Sequence, residues 1–431
     1  MSDLVIRAQI MLLARTLHVP AERLAHLERL GAAHLHELQQ RMAGIIFDQH
    51  AETFHRISKL VPIIPLGISM PLVQRIVPPM MTGRAAGAIG VVYPKKAAET
   101  VSLLGTSYAA DCAPYMDPRT VGQIADVAPP EPIVHVLNEV LRRRDFITAG
   151  PFLAYATPAL IDAIEQGVHD DEGLIFSAGY AFSAEAVSAI LRRLLTGQWQ
   201  RIPRIVHTVL VGSSSLQLAA LSAFARCDAD VVTEIGDIMF TIGSTESISN
   251  LIVTAIHVGA IPELLTFTDH LSPTAVQQMA ANPIVGNDAA LGAIIGALDG
   301  RSEPTIWRGL FRLLGQVGAD TQRRAARLLA DMSDPAVAAL PSLATEAHLW
   351  PMLLPVLAAA DVDVHTRIGA IWATLPPERR AGLEWRIHEL QLDTPLAAMT
   401  NVIPSMSVEE VFFRRRQMGR RRGPVDSWDL R

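Results

Sequence analysis

The chain has 431 residues and a mass of 46.7 kDa, more than one compact core ordinarily holds, so its length favours several domains or an elongated array. Half of the residues are apolar, 19% are charged and the mean hydropathy is +0.26, which excludes a mainly disordered chain. The net charge of −6 and pI near 6.2 exclude a generally basic nucleic-acid-binding domain, and two cysteines, Cys112 and Cys227, are too few for a disulfide framework or a zinc cluster and fit a reducing, cytoplasmic setting.

At the N-terminus the apolar stretch from Ile10 to Ala14 is too short, and flanked too early by Asp3 and Arg7, to read as a signal peptide. Residues 21–60 read as one long helix or a tight helix pair, with Leu24, Leu27, Leu35, Leu38, Met42, Ile45 and Ile46 on its apolar side. Near its end Asp48, Glu52 and His55 fall on one helical face. Glu52-x-x-His55 is the spacing by which helical bundles present two ligands to a di-iron or di-manganese centre. Such a centre needs a second Glu-x-x-His, and the chain has none, so a solvated face interleaved with Arg56 and Lys59 is the plainer reading of the three.

Between Ser69 and Val140 the sequence repeats with a period of 12. Val73, Ala85, Ala97, Ala109, Val121 and Ile133 open six blocks, and the residues three, four and seven places later are mostly apolar, including Ile76, Val77 and Met80 in the first block. That spacing marks one face of a two-turn helix. Pro94, Pro118 and Pro130 stand three places before the openings of their blocks, where a helix begins, because proline at the first helical position loses no hydrogen bond. Thr157-Pro158, Ser272-Pro273, Asp334-Pro335 and Thr394-Pro395 repeat the signature downstream, and alternating strand patterns are missing. The expected fold is therefore all-α, an α-solenoid of short helices with longer, HEAT-like helices of 12 to 18 residues beyond about residue 183. Its expected divisions are an N-terminal helical segment (1–62), the short-helix repeat (63–182), a longer-helix region (183–400) and an Arg-rich tail (401–431).

Asp117-Pro118-Arg119 through Ala128, then Pro129-Pro130-Glu131 through Val140, resemble the cytoplasmic N-terminal superhelical domain of MgtE-type magnesium transporters, and Pro376-Pro377-Glu378 has the same flavour. The resemblance covers residues 69–140 and implies architecture alone. Glu99, Asp111, Asp126 and Glu139 fall at different registers, so no magnesium ligand carries over.

Further along, the uncharged span from Ile205 to Ala225 reads as a buried helix-turn-helix rather than a membrane crossing, since His207, Gly212 and three serines interrupt it. His169-Asp170-Asp171-Glu172 lacks the alternation of a calcium loop and reads as a solvated turn capping the next helix. Asp361-Val362-Asp363-Val364 with Arg367 looks like one HEAT-type acidic turn and Arg-bearing helix. No cofactor is implied. The three lysines, Lys59, Lys95 and Lys96, follow no phosphate-cradling loop, and Gly212-Ser213-Ser214-Ser215 is no nucleophile elbow.

The tail is the strongest local charge signal. Phe412 and Phe413 precede Arg414, Arg415, Arg416, Arg420, Arg421 and Arg422, and residues 413–431 carry +5 against −11 for the rest. This composition suits an anionic membrane surface, with the Phe pair as apolar anchor, better than a nucleic acid. The chain as a whole reads as a non-enzymatic helical-repeat scaffold or adaptor that binds a protein partner through its solenoid surface, with peripheral contact to an anionic membrane through the tail. A hydrophobic-ligand or lipid-binding helical protein is the alternative, drawing on Met80-Met81 and the apolar Val61 to Leu66 stretch; a helical metalloprotein using Asp48, Glu52 and His55 is the third.

Overall fold

A computed structural model describes residues 3–49, 66–116, 118–197, 200–376 and 383–403. Every regular element among them is helical, so the fold is all-α. The chain divides into two compact units, Met1–Ile284 and Val285–Arg431.

In the first unit the helix Asp3–Leu17 packs on Gly31–Gln49. Between them Ala21–Leu30 is a 3₁₀ segment with no buried residue, so Leu24 and Leu27 do not belong to a long apolar helix face. Gly31, at φ 73°, ends that segment in a backbone region closed to most other residues. Arg15 ties the N-terminal helix to the rest of the unit, donating from Nη2 to Asp145 at 2.8 Å and from Nη1 to Thr148 at 2.7 Å.

Six short helices follow, Leu66–Ile76, Pro79–Val92, Pro94–Leu103, Thr106–Cys112, Pro118–Ala125 and Pro130–Arg142, one for each block of the period. From Pro94 onward they start every 12 residues, as the spacing predicts. Helices this short are marginal alone because nucleation is costly. They are held by stacking, each on the helix two places later: Pro79–Val92 on Thr106–Cys112, that on Pro130–Arg142, and that on Pro158–Gly167. The buried cluster of Val134, Val140, Leu141, Ala149, Leu160 and Ile164 is the result.

The expected burial pattern holds only in part. Ala97 and Ala109 are buried but Val121 and Ile133 are half-buried, and Ile124 and Val134 take the inner positions instead. Each block is a separate helix with a turn before it, so the side it turns inward is set by the helices it packs on rather than by the period. Ile76 departs furthest: it is 69% exposed, on a helix whose packing runs to one side, onto Pro94–Leu103.

Glu139 closes the last of these helices, accepting from Arg142 Nη2 at 2.7 Å and Arg143 Nε at 2.8 Å. Those hydrogen bonds hold its carboxyl down at about 2. A carboxylate depressed on folding contributes stability that is present above the ordinary Glu range and lost as pH falls towards 2. Glu139→Gln is therefore expected to lower thermal stability at neutral pH and to converge with the wild type as pH falls towards 2, flattening the acid limb, measured by differential scanning calorimetry across pH.

From residue 184 the organisation changes to helix pairs. Their first helices begin at Ala184, Ser214, Thr245, Pro273, Pro304, Asp334 and Val362, about 30 residues apart. Ser183, Ser213, Ser244 and Ser272 cap four of them, each hydroxyl accepting from the amide three residues on at 3.1 to 3.3 Å. The helices run from 8 to 14 residues between Ala184 and Ala373, shorter than expected, because a Ser, Asp, Gly or Pro stop recurs before a fourth turn can form. The Ile205 to Ala225 span is indeed two helices, Arg201–Val211 and Ser214–Phe224, meeting at Gly212-Ser213.

In the second unit Asp288–Gly296 packs on Ala319–Ala330, that on Trp350–Ala358, and Asp334–Glu346 on Val362–Ala373. Trp307, Phe311, Trp350 and Trp372 fill its core. Asp361 and Arg367, read as one HEAT-type motif, belong to a set of cross-ties: Arg327 donates to Asp361 at 2.6 Å, Arg367 to Asp334 at 3.1 Å, and Arg324 pairs with Asp288.

Candidate functional site

Asp48 is exposed on the last turn of Gly31–Gln49, while Glu52 and His55 lie outside the described residues, as do Phe412, Phe413 and all six tail arginines from Arg414 to Arg422. Among the described residues no group of three or more His, Cys, Asp or Glu is placed to hold a metal. Cys112 and Cys227 are both buried, and burial pushes their thiols up to about 12 and about 11, so neither supplies a thiolate near neutral pH.

The acidic turn is more than a solvated loop. Asp170 caps Asp171–Tyr180, accepting from the Gly173 amide at 2.8 Å, but the neighbouring Asp171 is buried. It meets Arg201, which is 1% exposed, through Nε at 3.0 Å and Nη2 at 2.8 Å, and Arg204 through Nε at 2.5 Å. Arg201 Nη1 also donates to the Ile164 and Glu165 carbonyls at 2.7 and 3.1 Å, closing the C-terminal end of Pro158–Gly167. Burial pushes the Arg201 guanidinium down from the ordinary arginine value and Asp171 opposes that shift, an arrangement that locks three helices together. The sequence hides it, because neither Arg201 nor Asp171 departs from a surface pattern.

A cleft of about 290 Å³ lies between the two N-terminal helices and the helical stretch Phe146–Phe152 with Leu153–Tyr155. Its walls include Gln9, His36, Gln39, Tyr155 and Phe182. His36 stacks on Phe182 at 3.9 Å and donates from Nδ1 to Gln9 at 3.1 Å, and burial lowers its pKa, so the neutral ring is favoured. Gln9 and Gln39 are themselves almost wholly buried. Leu12, Pro151, Ala154 and Ala181 line it as well, so its walls mix apolar and polar groups.

The strongest surface feature is the start of the short-helix series. Leu72, Ile76 and Met81 are 59, 69 and 54% exposed. Leu72 and Ile76 are four residues apart and Arg75 lies three after Leu72, so all three share one side of Leu66–Ile76. Met81 stands across the Val77-Pro78 turn, in the first turn of the next helix. The exposed residues described between Leu66 and Ala98 are Gly67, Pro71, Leu72, Arg75, Ile76, Pro78, Met81 and Lys95, which are apolar, conformational or cationic without exception. A second signal was present in the sequence: residues 53–98 contain no Asp or Glu, in a chain whose net charge is −6. The 12-residue period masks it, because Ile76 and Met80 read there as inward-facing.

The fold and this surface define the chain as an all-α helical-repeat protein. No family model matches it, and no curated protein matches it. A solved structure described as a circular tandem repeat protein with novel repeat topology and enhanced subunit contact surfaces aligns over 97% of this chain and 98% of its own, at 14% identity and a TM-score of 0.23.

Proposed function

We propose that the chain is a helical-repeat scaffold that binds another macromolecule, and that the face around Leu72, Ile76 and Met81 is where it does so. The observation that carries this reading is the exposure of three large apolar side chains on two consecutive helices of a stacked array. Exposed single hydrophobic residues are ordinary, whereas clustered ones mark contact surfaces. Helical repeats serve this role because their stacking leaves extended surfaces free while each helix remains supported from its neighbours.

The test is site-specific photocrosslinking in cells. Benzoylphenylalanine at position 72 is expected to yield crosslinked adducts that the same group at Val362, which is 64% exposed on a different helix, does not. Indistinguishable patterns at the two positions would remove this face from consideration.

A further inference from the structure

The chemistry of the face around Leu72 restricts what can cover it. A protein partner fixes its register through hydrogen bonds and charges of both signs around an apolar centre. Here the exposed residues described between Leu66 and Ala98 include no hydroxyl, amide or acid, only apolar groups, Gly, Pro, Arg75 and Lys95, and the exposed Glu99 that follows on the adjoining helix is paired with Lys96 at 3.0 Å. A nucleic acid is recognised through stacked aromatic rings and polar contacts along a strand, and this stretch exposes neither. A bilayer interface needs no register. It takes apolar side chains into the boundary of the acyl chains and leaves cations at the phosphates.

Resting on the reading of this face as the binding surface, we propose that its occupant is an anionic membrane: Leu72, Ile76 and Met81 enter the bilayer interface, and Arg75 and Lys95 remain at its phosphates. The order along the chain fits. Leu72 and Ile76 lie four apart and Arg75 between them, so one side of the helix carries both the apolar and the cationic groups. The turn at Val77-Pro78 then places Met81 on the adjoining arm. No helix among the described residues is long and apolar enough to cross a membrane, so the contact is with one surface. The acid-free stretch of 53–98 removes the local repulsion that the chain's net charge of −6 would otherwise bring to an anionic surface.

Co-sedimentation of the full chain with phosphatidylcholine vesicles, with and without phosphatidylglycerol, tests this. The wild-type chain is expected to bind the anionic vesicles, to ignore the neutral ones, and to release as salt is raised. Leu72→Gln, Ile76→Gln and Met81→Gln together are expected to weaken binding about tenfold or more, since each takes an apolar side chain out of the acyl-chain boundary. Arg75→Gln and Lys95→Gln are each expected to weaken it about fivefold, the equivalent of about 1 kcal/mol per cation at a membrane surface. All five positions are exposed, so the variants are expected to fold, and their far-ultraviolet circular dichroism spectra are expected to match the wild type. A full-length variant with Gln at Arg414 to Arg416 and Arg420 to Arg422 separates the tail, and the effect of the Leu72, Ile76 and Met81 changes is expected to persist in it.

Vesicle binding unaffected by those three changes, or lost entirely with the tail arginines, would overturn the proposal. Position-72 crosslinks to a protein without vesicle binding would sink the lipid inference and leave the scaffold reading standing. Loss of both the position-specific crosslinks and the vesicle binding would sink the two together.

Discussion

Asp171→Ala is expected to lower the unfolding free energy by about 3–5 kcal/mol, the cost of leaving a buried charge without its partner. Arg201 cannot escape by deprotonation, because a guanidinium keeps its proton near neutral pH even when burial lowers its pKa. With Asp171 gone its Nε and Nη2 lose their acceptor, and only the Ile164 and Glu165 carbonyls remain. A urea titration reads the change as a shift of midpoint at constant slope. Hydrogen exchange should place the loss in Pro158–Gly167, Asp171–Tyr180 and Arg201–Val211, the three helices that meet there. The pair's value lies in being complete. Asp171→Leu combined with Arg201→Met should recover most of the loss, since buried ion pairs are often replaceable by apolar groups of similar volume. A double variant as unstable as Asp171→Ala would show that geometry, and not the uncompensated charge, governs the site.

Trp372→Ala is the second large effect, expected at about 3–5 kcal/mol from the lost burial and the cavity left behind. Trp372 is fully buried, meets Trp350 edge-on at 6.2 Å between ring centres, and donates from Nε1 to the Val337 carbonyl at 2.9 Å. Its removal therefore empties the core between Asp334–Glu346, Trp350–Ala358 and Val362–Ala373 and strands an acceptor. Thermal unfolding of the variant measures it. Trp385→Ala is the contrast: Trp385 is 60% exposed, and its loss should change stability by about 0.5 kcal/mol or less.

The helix class and many helix starts were legible because they depend on short-range chemistry. Pro94, Pro130, Thr157-Pro158 and Ser272-Pro273 act within one turn of themselves, so their structural outcome is local. The 12-residue spacing was legible for the same reason, but its burial was not, since which side of a helix faces inward depends on a neighbour two helices away. Ile76 shows the limit: an apolar residue at a regular position reads as buried until the packing of its helix is known. The period of about 30 residues was carried by Ser183, Ser213, Ser244 and Ser272, single capping side chains in otherwise unlike helices, and apolar spacing has no register for them. The Asp171 and Arg201 pair was illegible for the opposite reason, because its members lie 30 residues apart and each alone is an ordinary surface residue type. The exposed face at Leu72 was half-visible, in the absence of acids from 53 to 98.

The stacking of each helix on one two places later has a consequence for how the protein responds to damage. Apart from the N-terminal helix, which Arg15 ties to Asp145 and Thr148, the ties among the later helix pairs span few residues: Arg192 to Asp228, Ser272 to Asp237 and Trp372 to Val337 all bridge between 35 and 36. Closing loops of that size costs little more entropy than closing much shorter ones, since the cost grows only with the logarithm of length. Order can therefore begin at any helix pair and spread to adjacent pairs, with free energy accumulating as pair terms and junction terms. Within either unit a lesion is felt by the pairs it touches and fades beyond them, so such an array tolerates sequence drift at one position without renegotiating the others, and its surfaces can diverge pair by pair while the stack persists.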